Sequence, residues 1–296
     1  LATIAATALL SATSIGITRT QNLQDSEAAW WYANGLEDWI AGLLRRRPGQ
    51  PKVDYLGQKW AQPVSYLPYD RGVVSGHLVD LQGRFNLNNL AANGNELKYY
   101  ETQFRLLLAS ISGLQLNNTA RLPQRIHSWL LSSPNATVAT SPDAALYLSL
   151  QPPYRPAHQL FHSVSGLLAI AGVTPELYDH LRPYIAVLPE VGTRINVNTA
   201  PLQVLMSLAV DVNASRLEQF VKTRIKEPVP RVQDIYNTHY NLLPADVPQT
   251  RVDVQTSYFQ LRAHIKVGSA RLDLYSDIRR QGGGTPVVYA RTTGSD

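Results

Sequence analysis

Cysteine is missing altogether from the 296 residues. Its absence excludes a disulfide framework, a thiolate metal site and a cysteine nucleophile. It does not fix a redox compartment, because an exported chain can simply do without thiols. Charge is also scarce, at 17% of residues, against ~25% in an average soluble protein. Signatures of catalysis are absent too: there is no G-x-S-x-G, no Walker A loop and no glycine-rich dinucleotide loop. Gly282 to Gly284 follows a predicted hairpin instead of opening a helix. The seven histidines are dispersed, and only His158 and His162 stand four apart, without the glutamate of a zinc hydrolase. No carboxylate pair forms an obvious constellation, so the chain reads as non-enzymatic.

Hydrophobic residues make up 44%, enough for one large domain or two modest ones with a substantial core. The 27 basic residues outnumber the 22 acidic ones, a balance of +5. That permits nucleic acid or anionic lipid as a partner without demanding either. The only basic run is Arg45-Arg46-Arg47.

The sequence begins at Leu1 rather than methionine, which suggests a processed or cut chain. From Leu1 to Thr18 there is no charge. As a helix this run spans ~27 Å, just short of a ~30 Å bilayer core. It is rich in Ala, Thr and Ser and lacks the basic start and cleavage motif of a secretory signal. We read 1–18 as the end of a membrane-embedded helix, with Leu1, Ile4, Leu9, Leu10, Ile15 and Ile17 as its apolar contacts. The competing reading is a small-residue core helix of a soluble protein. No proline intervenes before Pro48, and Leu36, Trp39, Ile40, Leu43 and Leu44 continue at helical spacing. Residues 1–46 are therefore predicted to be one long helix with soft points at Gly16 and Gly35, ended by the basic run and Pro48-Gly49. Such a helix must leave its domain and be covered by lipid or protein.

Residues 51–68 are rich in Pro and Tyr and read as a loop. Residues 72–81 and 84–88 flank Gln82-Gly83 and predict a hairpin. A second hairpin is predicted where Phe259, Leu261, Ala263, Ile265 and Val267 alternate with polar residues. It turns at Gly268-Ser269 and returns through Leu272, Leu274 and Ile278, and Val287 to Ala290 adds an edge strand. Between these hairpins the pattern is helical. Ser141-Pro142, Thr174-Pro175 and Thr199-Ala200-Pro201 each put a hydroxyl cap before an early proline. Apolar spacing marks helices at 97–111, 122–131, 202–209, 214–225 and 231–238. The predicted fold is α+β: a long N-terminal helix packed on a small antiparallel sheet, with a large all-α domain inserted between strands. The core would be formed by 47–90 and 250–296, and the insertion by 91–249.

Ile195-Asn196-Val197-Asn198-Thr199-Ala200-Pro201, with Asn198 or Thr199 as a cap, resembles the start of a helix-hairpin-helix module like those of DNA-binding competence proteins. There the turn needs glycines, so that backbone N–H groups can approach a phosphate. Here the turn Leu208 to Asn213 has none and carries Asp211. A helical packing unit is one reading, and a periplasmic DNA-binding receptor is the alternative. Asp70, Asp80, Asn86 and Asn88 offer oxygens near the first hairpin, but not at an ordered calcium-loop spacing.

Four stretches in order resemble the K-type minor pseudopilins of the type II secretion system. They are the long helix through Trp30-Trp31, the block Asp80-Leu81-Gln82-Gly83-Arg84-Phe85-Asn86-Leu87-Asn88-Asn89-Leu90, the stretch from Arg155-Pro156 to Thr174-Pro175-Glu176-Leu177, and Ile195 to Ala200. The resemblance covers essentially the whole chain and implies a pilin fold with a helical insertion. It also implies an inner-membrane protein with its globular part in the periplasm, matured by a prepilin peptidase. Its place would be the tip of the pseudopilus with two other minor pseudopilins, where fibre assembly begins and exported substrates or the secretin are met. No nucleic-acid partner is implied. Calcium is associated with the family, but its ligands do not map onto this chain residue by residue. The partner-facing residues are expected on the striped half of the helix, at Trp30, Trp31, Leu36, Trp39, Ile40 and Leu43, with part of that stripe reserved for the protein's own sheet.

Overall fold

Helix α1 runs unbroken from Ala2 to Leu44, straight through Gly16 and Gly35. Nothing in that span lacks an N–H or forces a turn, so the ladder of i to i−4 bonds continues. The computed structural model describes residues 2–46, 49, 52–113, 119–131, 142–281 and 284–294, with the side chains of 2–9, 69 and 142–144 left out of account. Two units emerge. One holds Leu1–Gln50, Lys59–Val79 and Phe259–Asp296, and the other Pro51–Gln58 and Asp80–Tyr258. The chain thus passes between units at 50/51, 58/59, 79/80 and 258/259, whereas the sequence suggested an insertion over 91–249.

In the first unit a five-stranded sheet has the order β1-β2-β7-β8-β9. Its strands are β1 (Val64–Tyr69), β2 (Gly72–Asp80), β7 (Tyr258–Val267), β8 (Ala270–Arg279) and β9 (Val287–Thr293). The β7–β8 hairpin and the β9 edge strand match the alternation in the sequence. Phe259, Leu261, Ala263, Ile265 and Val267 are all buried, and each of the four larger side chains contributes about 1.5–3 kcal/mol. At the turn, Gly268 has φ +53, and an added Cβ would lie 2.2 Å from an Asp25 oxygen. The Asp25 carboxylate instead accepts from the Ser269 amide at 3.0 Å.

The first predicted hairpin is corrected. β2 pairs antiparallel with β1, Tyr69 opposite Gly72 and Leu67 opposite Val74, so part of the supposed loop 51–68 is a strand. Pro68 has no N–H to give, and β1 is an edge strand, where that omission costs no ladder bond. Asp70, at φ +46, supplies the left-handed backbone of the tight turn.

The stripe of α1 laid on the sheet is Asp25, Ala29, Ala33, Glu37, Ile40 and Leu44, all buried. Spacings of four, four, four, three and four keep them on one face. Two are acids and two are alanines, so the face carries no strong apolar signature. The alanines let backbone and sheet approach closely.

The second unit repeats one device. The two-residue strand β3 (Phe85–Asn86) pairs in parallel with β4 (Ile185–Ala186), and β5 (Ile195–Asn196) pairs in parallel with β6 (Val252–Asp253). The Oδ1 of Asn86 accepts from the Asn88 amide at 3.1 Å, and that of Asn196 from the Asn198 amide at 3.1 Å. Asn88 then brackets Phe161, accepting from its N–H at 2.9 Å and donating to its carbonyl at 3.0 Å. Asn198 brackets Val229 in the same way at 2.8 and 2.9 Å. Three residues after each bracketed residue a 3-10 helix begins, Val164–Ala169 and Val232–Tyr236. Residues 84–88 therefore do not return along β2. Their asparagines are committed to distant backbone, because a buried amide must satisfy its own polar atoms.

Around this frame lie α2 (Gly94–Ser110), α3 (Leu122–Leu130), α4 (Pro142–Leu148), α5 (Pro175–Leu181), α6 (Leu202–Met206) and α7 (Ala214–Thr223). Thr174 caps α5 as expected, accepting from the Leu177 amide at 3.2 Å, while Ser141 lies outside the described residues. Thr199 and Asn198 cap nothing. The Thr199 hydroxyl donates to Asp80 at 2.7 Å, and Pro201 precedes α6 without a side-chain cap.

Candidate interaction surface

A long helix packed on a sheet along one face offers its remaining faces to something else. From residue 10 to residue 24 every side chain of α1 is exposed, including Leu10, Ile15, Ile17 and Leu23. Leu1 and the side chains of Ile4 and Leu9 lie outside the described residues. Hydroxyls on this segment bond back into the helix: Thr18 donates to the Ser14 carbonyl and Thr20 to the Gly16 carbonyl, both at 3.0 Å. Among the described residues, no helix is long and apolar enough to cross a membrane. Ala, Thr and Ser dilute the hydropathy of the uncharged run, and Arg19 ends it.

Farther along, the six residues predicted to face a partner separate. Trp30, Trp31 and Trp39 are exposed, at 44, 75 and 51%. Leu36 and Leu43 are half-buried. Ile40 is a correction: at 4% exposure it belongs to the stripe on the sheet, so it is unavailable to a second chain. The residues that sequence reasoning missed come from the first hairpin. Leu67 of β1 and Val74 of β2 join Trp31, Tyr32, Gly35, Leu36 and Trp39 around an open hollow of about 440 Å³. A smaller one beside it, about 140 Å³, is lined partly by Leu43, Trp60 and Val64. None of the seven residues around the larger hollow is charged. Its apolar lining can hold apolar groups.

In the second unit the oxygens considered for calcium are already engaged. Asp80 Oδ1 accepts from the Gln82 and Gly83 amides and the Thr256 hydroxyl at 2.7, 3.2 and 2.6 Å. Its Oδ2 accepts from Asn196 and Thr199 at 2.9 and 2.7 Å. Burial raises the Asp80 carboxyl above its ordinary range, and the nearby Asp54 adds to this against the pull of those hydrogen bonds. Asn86 Oδ1 accepts from the Asn88 and Leu188 amides. Calcium requires six to eight oxygen ligands, and these residues face donors, so they do not fit it. Asp70 sits exposed in the β1–β2 turn. Among the described residues, no three His, Asp or Glu side chains are grouped as a metal site.

The helix-hairpin-helix-like stretch is a packing unit in its geometry. The buried Arg224 donates to the carbonyls of Val197, Thr199 and Ala200 at 2.9, 3.4 and 2.5 Å, and burial pulls its guanidinium down to about 10. Between α6 and α7, Val210 and Asp211 are exposed. Without glycine, the turn lacks the bare backbone that a phosphate contact uses.

Comparison with known proteins places these features in a family. The model of the type II secretion system protein K matches residues 83–190. Protein K of Pseudomonas aeruginosa is 30% identical over 299 residues, covering 99% of this chain and 88% of the relative. Protein K of Aeromonas hydrophila is 29% identical, with 93 and 88% covered. Among solved structures, a chain of the GspK–GspI–GspJ complex from enterotoxigenic Escherichia coli superposes with a TM-score of 0.78 at 23% identity. That match covers 94% of this chain and all of the other. The long helix, the sheet beneath it, the helical unit threaded between β2 and β7, and the Pseudomonas relative at 30% identity across 88% of its length lead to one conclusion: the chain belongs to the type II secretion system protein K family.

Proposed function

We propose that the protein is a non-enzymatic minor pseudopilin at the tip of the type II secretion pseudopilus. It joins two other minor pseudopilins there, starts the fibre and supports export of folded proteins from the periplasm. The observation that carries this reading is the division of α1. One face is laid on the protein's own sheet, while residues 10–24 and the Trp31–Trp39 hollow stand open. Apolar surface of that kind needs a covering partner. The solved relative lies in a complex with GspI and GspJ, which supports companions of the pilin type. In this reading the uncharged start of α1 sits in the inner membrane, where its back-bonded hydroxyls need no water, and the two units lie in the periplasm.

Size favours the end of the fibre. Packed pilin helices approach to about 8–10 Å, whereas a unit the size of Asp80–Tyr258 has a radius of gyration of roughly 16 Å. That bulk is difficult to repeat between stacked neighbours and meets no obstacle at a tip. The test is recovery of the tagged full chain from detergent-solubilised membranes. Two smaller pilin-like chains at equal stoichiometry are expected, and recovery of the chain alone would overturn the reading. For the DNA alternative, steep salt-dependent binding to duplex DNA would be the contrary result.

A further inference from the structure

We propose that the hollow at Gly35 is a preformed hole for one large apolar side chain on the N-terminal helix of a companion pilin-like chain. The inference rests on the pseudopilin reading and names how the contact is made. Glycine in a helix interior is destabilising relative to alanine, so its presence calls for a reason. At two glycines of the sheet in this unit the reason is internal. A Cβ at Gly72 would lie 2.5 Å from the Tyr32 ring, and one at Gly76 would lie 2.5 Å from the Arg262 carbonyl. At Gly35 a Cβ would meet nothing within 4 Å. The missing side chain serves no packing inside this chain.

It does shape the surface. Trp31 and Trp39, four residues before and four after, stand on either side of Gly35, and Leu67 and Val74 close the hollow from the sheet. A small residue between large ones at i±4 is the groove into which a neighbouring helix sets its ridge. Gly16 and Gly42 are equally open, but neither has a tryptophan on each side. The occupant is a helix because the exposed face continues. At about 100° per residue, the exposed Leu10, Ile17, Gly35 and Trp39 fall within a sector of about 40°, with the half-buried Ala28 between them. A partner helix running beside α1 therefore covers the uncharged segment and the hollow together. The uncharged lining selects an aliphatic or aromatic side chain over a charged one. At about 440 Å³ the open hollow is ample for such a group.

The experiment measures thermal unfolding of the full chain in detergent and its affinity for each of the two companion pilin-like chains. Gly35→Ala is expected to raise the unfolding midpoint by about 2–4 °C while weakening one companion's binding about five- to tenfold, and Gly35→Leu to weaken it about a hundredfold. Asn34→Leu, which places the same leucine side chain on another face of the helix, should leave binding unchanged. If Gly35→Leu binds like the unmodified chain, the hole is overturned while the pseudopilin reading stands. An unmodified chain that binds neither companion overturns both. A homodimer of the full chain that Gly35→Leu dissolves would make a second copy the occupant and overturn the proposal.

Discussion

Glu37 on the buried stripe of α1 and Arg291 on the edge strand β9 form a two-pronged ion pair, with Arg291 Nε at 2.7 and 3.0 Å from the two carboxylate oxygens. The Ser276 hydroxyl donates to the same carboxylate at 2.5 Å. The acid is 5% exposed and its arginine 49%, so the two partners differ in what their loss leaves behind. Arg291→Ala strands a buried carboxylate and is expected to cost about 1–3 kcal/mol, the water-exposed side of the pair holding it to the lower part of the range. Glu37→Gln, which leaves only a half-exposed cation, should cost less. Urea midpoints of the two variants check the order.

The tryptophans and their buried neighbour should separate stability from assembly. Trp39→Ala is expected to leave the unfolding midpoint within about 0.5 kcal/mol of the unmodified protein, as for other exposed positions, while weakening recovery of the companion chains. Ile40→Ala should do the reverse in the first respect, costing about 2–5 kcal/mol through the cavity it opens. Paired denaturation and pull-down measurements decide it.

Asn88 and Asn198 do the same work in the two halves of the second unit. Replacing Asn198 by alanine leaves both polar groups of the buried Val229 without their partner, at a cost of about 2–4 kcal/mol. Asn88→Ala should cost at least as much, because Asn88 also donates to the Leu188 carbonyl at 2.8 Å. Hydrogen exchange at the Val229 and Phe161 amides should rise selectively in the respective variants.

Gly268 is the opposite of Gly35. Its left-handed backbone and the Asp25 oxygens that an added Cβ would strike make Gly268→Ala destabilising, by about 1–3 kcal/mol. The loss should appear as faster exchange at the Ser269 amide.

Acid sensitivity has a local source at Glu96. The hydrogen bond from Arg251, 2.6 Å to Nη2, holds this carboxyl below its ordinary value of 4.5. A lowered acid contributes stability that is complete above 4.5 and is lost as pH falls through the folded value. The stability difference between the unmodified protein and Glu96→Gln should thus be constant at neutral pH and vanish in acid. Denaturant midpoints between pH 7 and pH 3 test this.

Much of the first unit was legible in the chain. The uncharged run and the unbroken 2–44 segment specify a long helix, and strict alternation around Gly268-Ser269 specifies the β7–β8 hairpin. The interaction surface was legible only in part. The tryptophans were visible as a stripe, yet the sheet-facing stripe contains Ala29, Ala33, Asp25 and Glu37 and carries no apolar periodicity. Ile40 was consequently assigned outward, and Leu67 and Val74 were not associated with the helix. The paired Asn-x-Asn at 86–88 and 196–198 was a signal for the two matching halves of the second unit, but its meaning rests on where Phe161 and Val229 lie.

Sequence alone therefore determined the local periods, the caps such as Thr174, the turn glycine at 268 and the residues too apolar to leave in water. Tertiary structure decided that β2 pairs with Pro68's strand instead of with residues 84–88, that Asp80 is surrounded by donors, and that Gly35 lies between tryptophans in an open hollow. The division has a physical cause. Periodicity records how each residue meets water along its own element. The choice of partner depends on hydrogen bonds and packing between residues a hundred or more positions apart, such as Asn196 with Asp80 and Asn86 with Leu188.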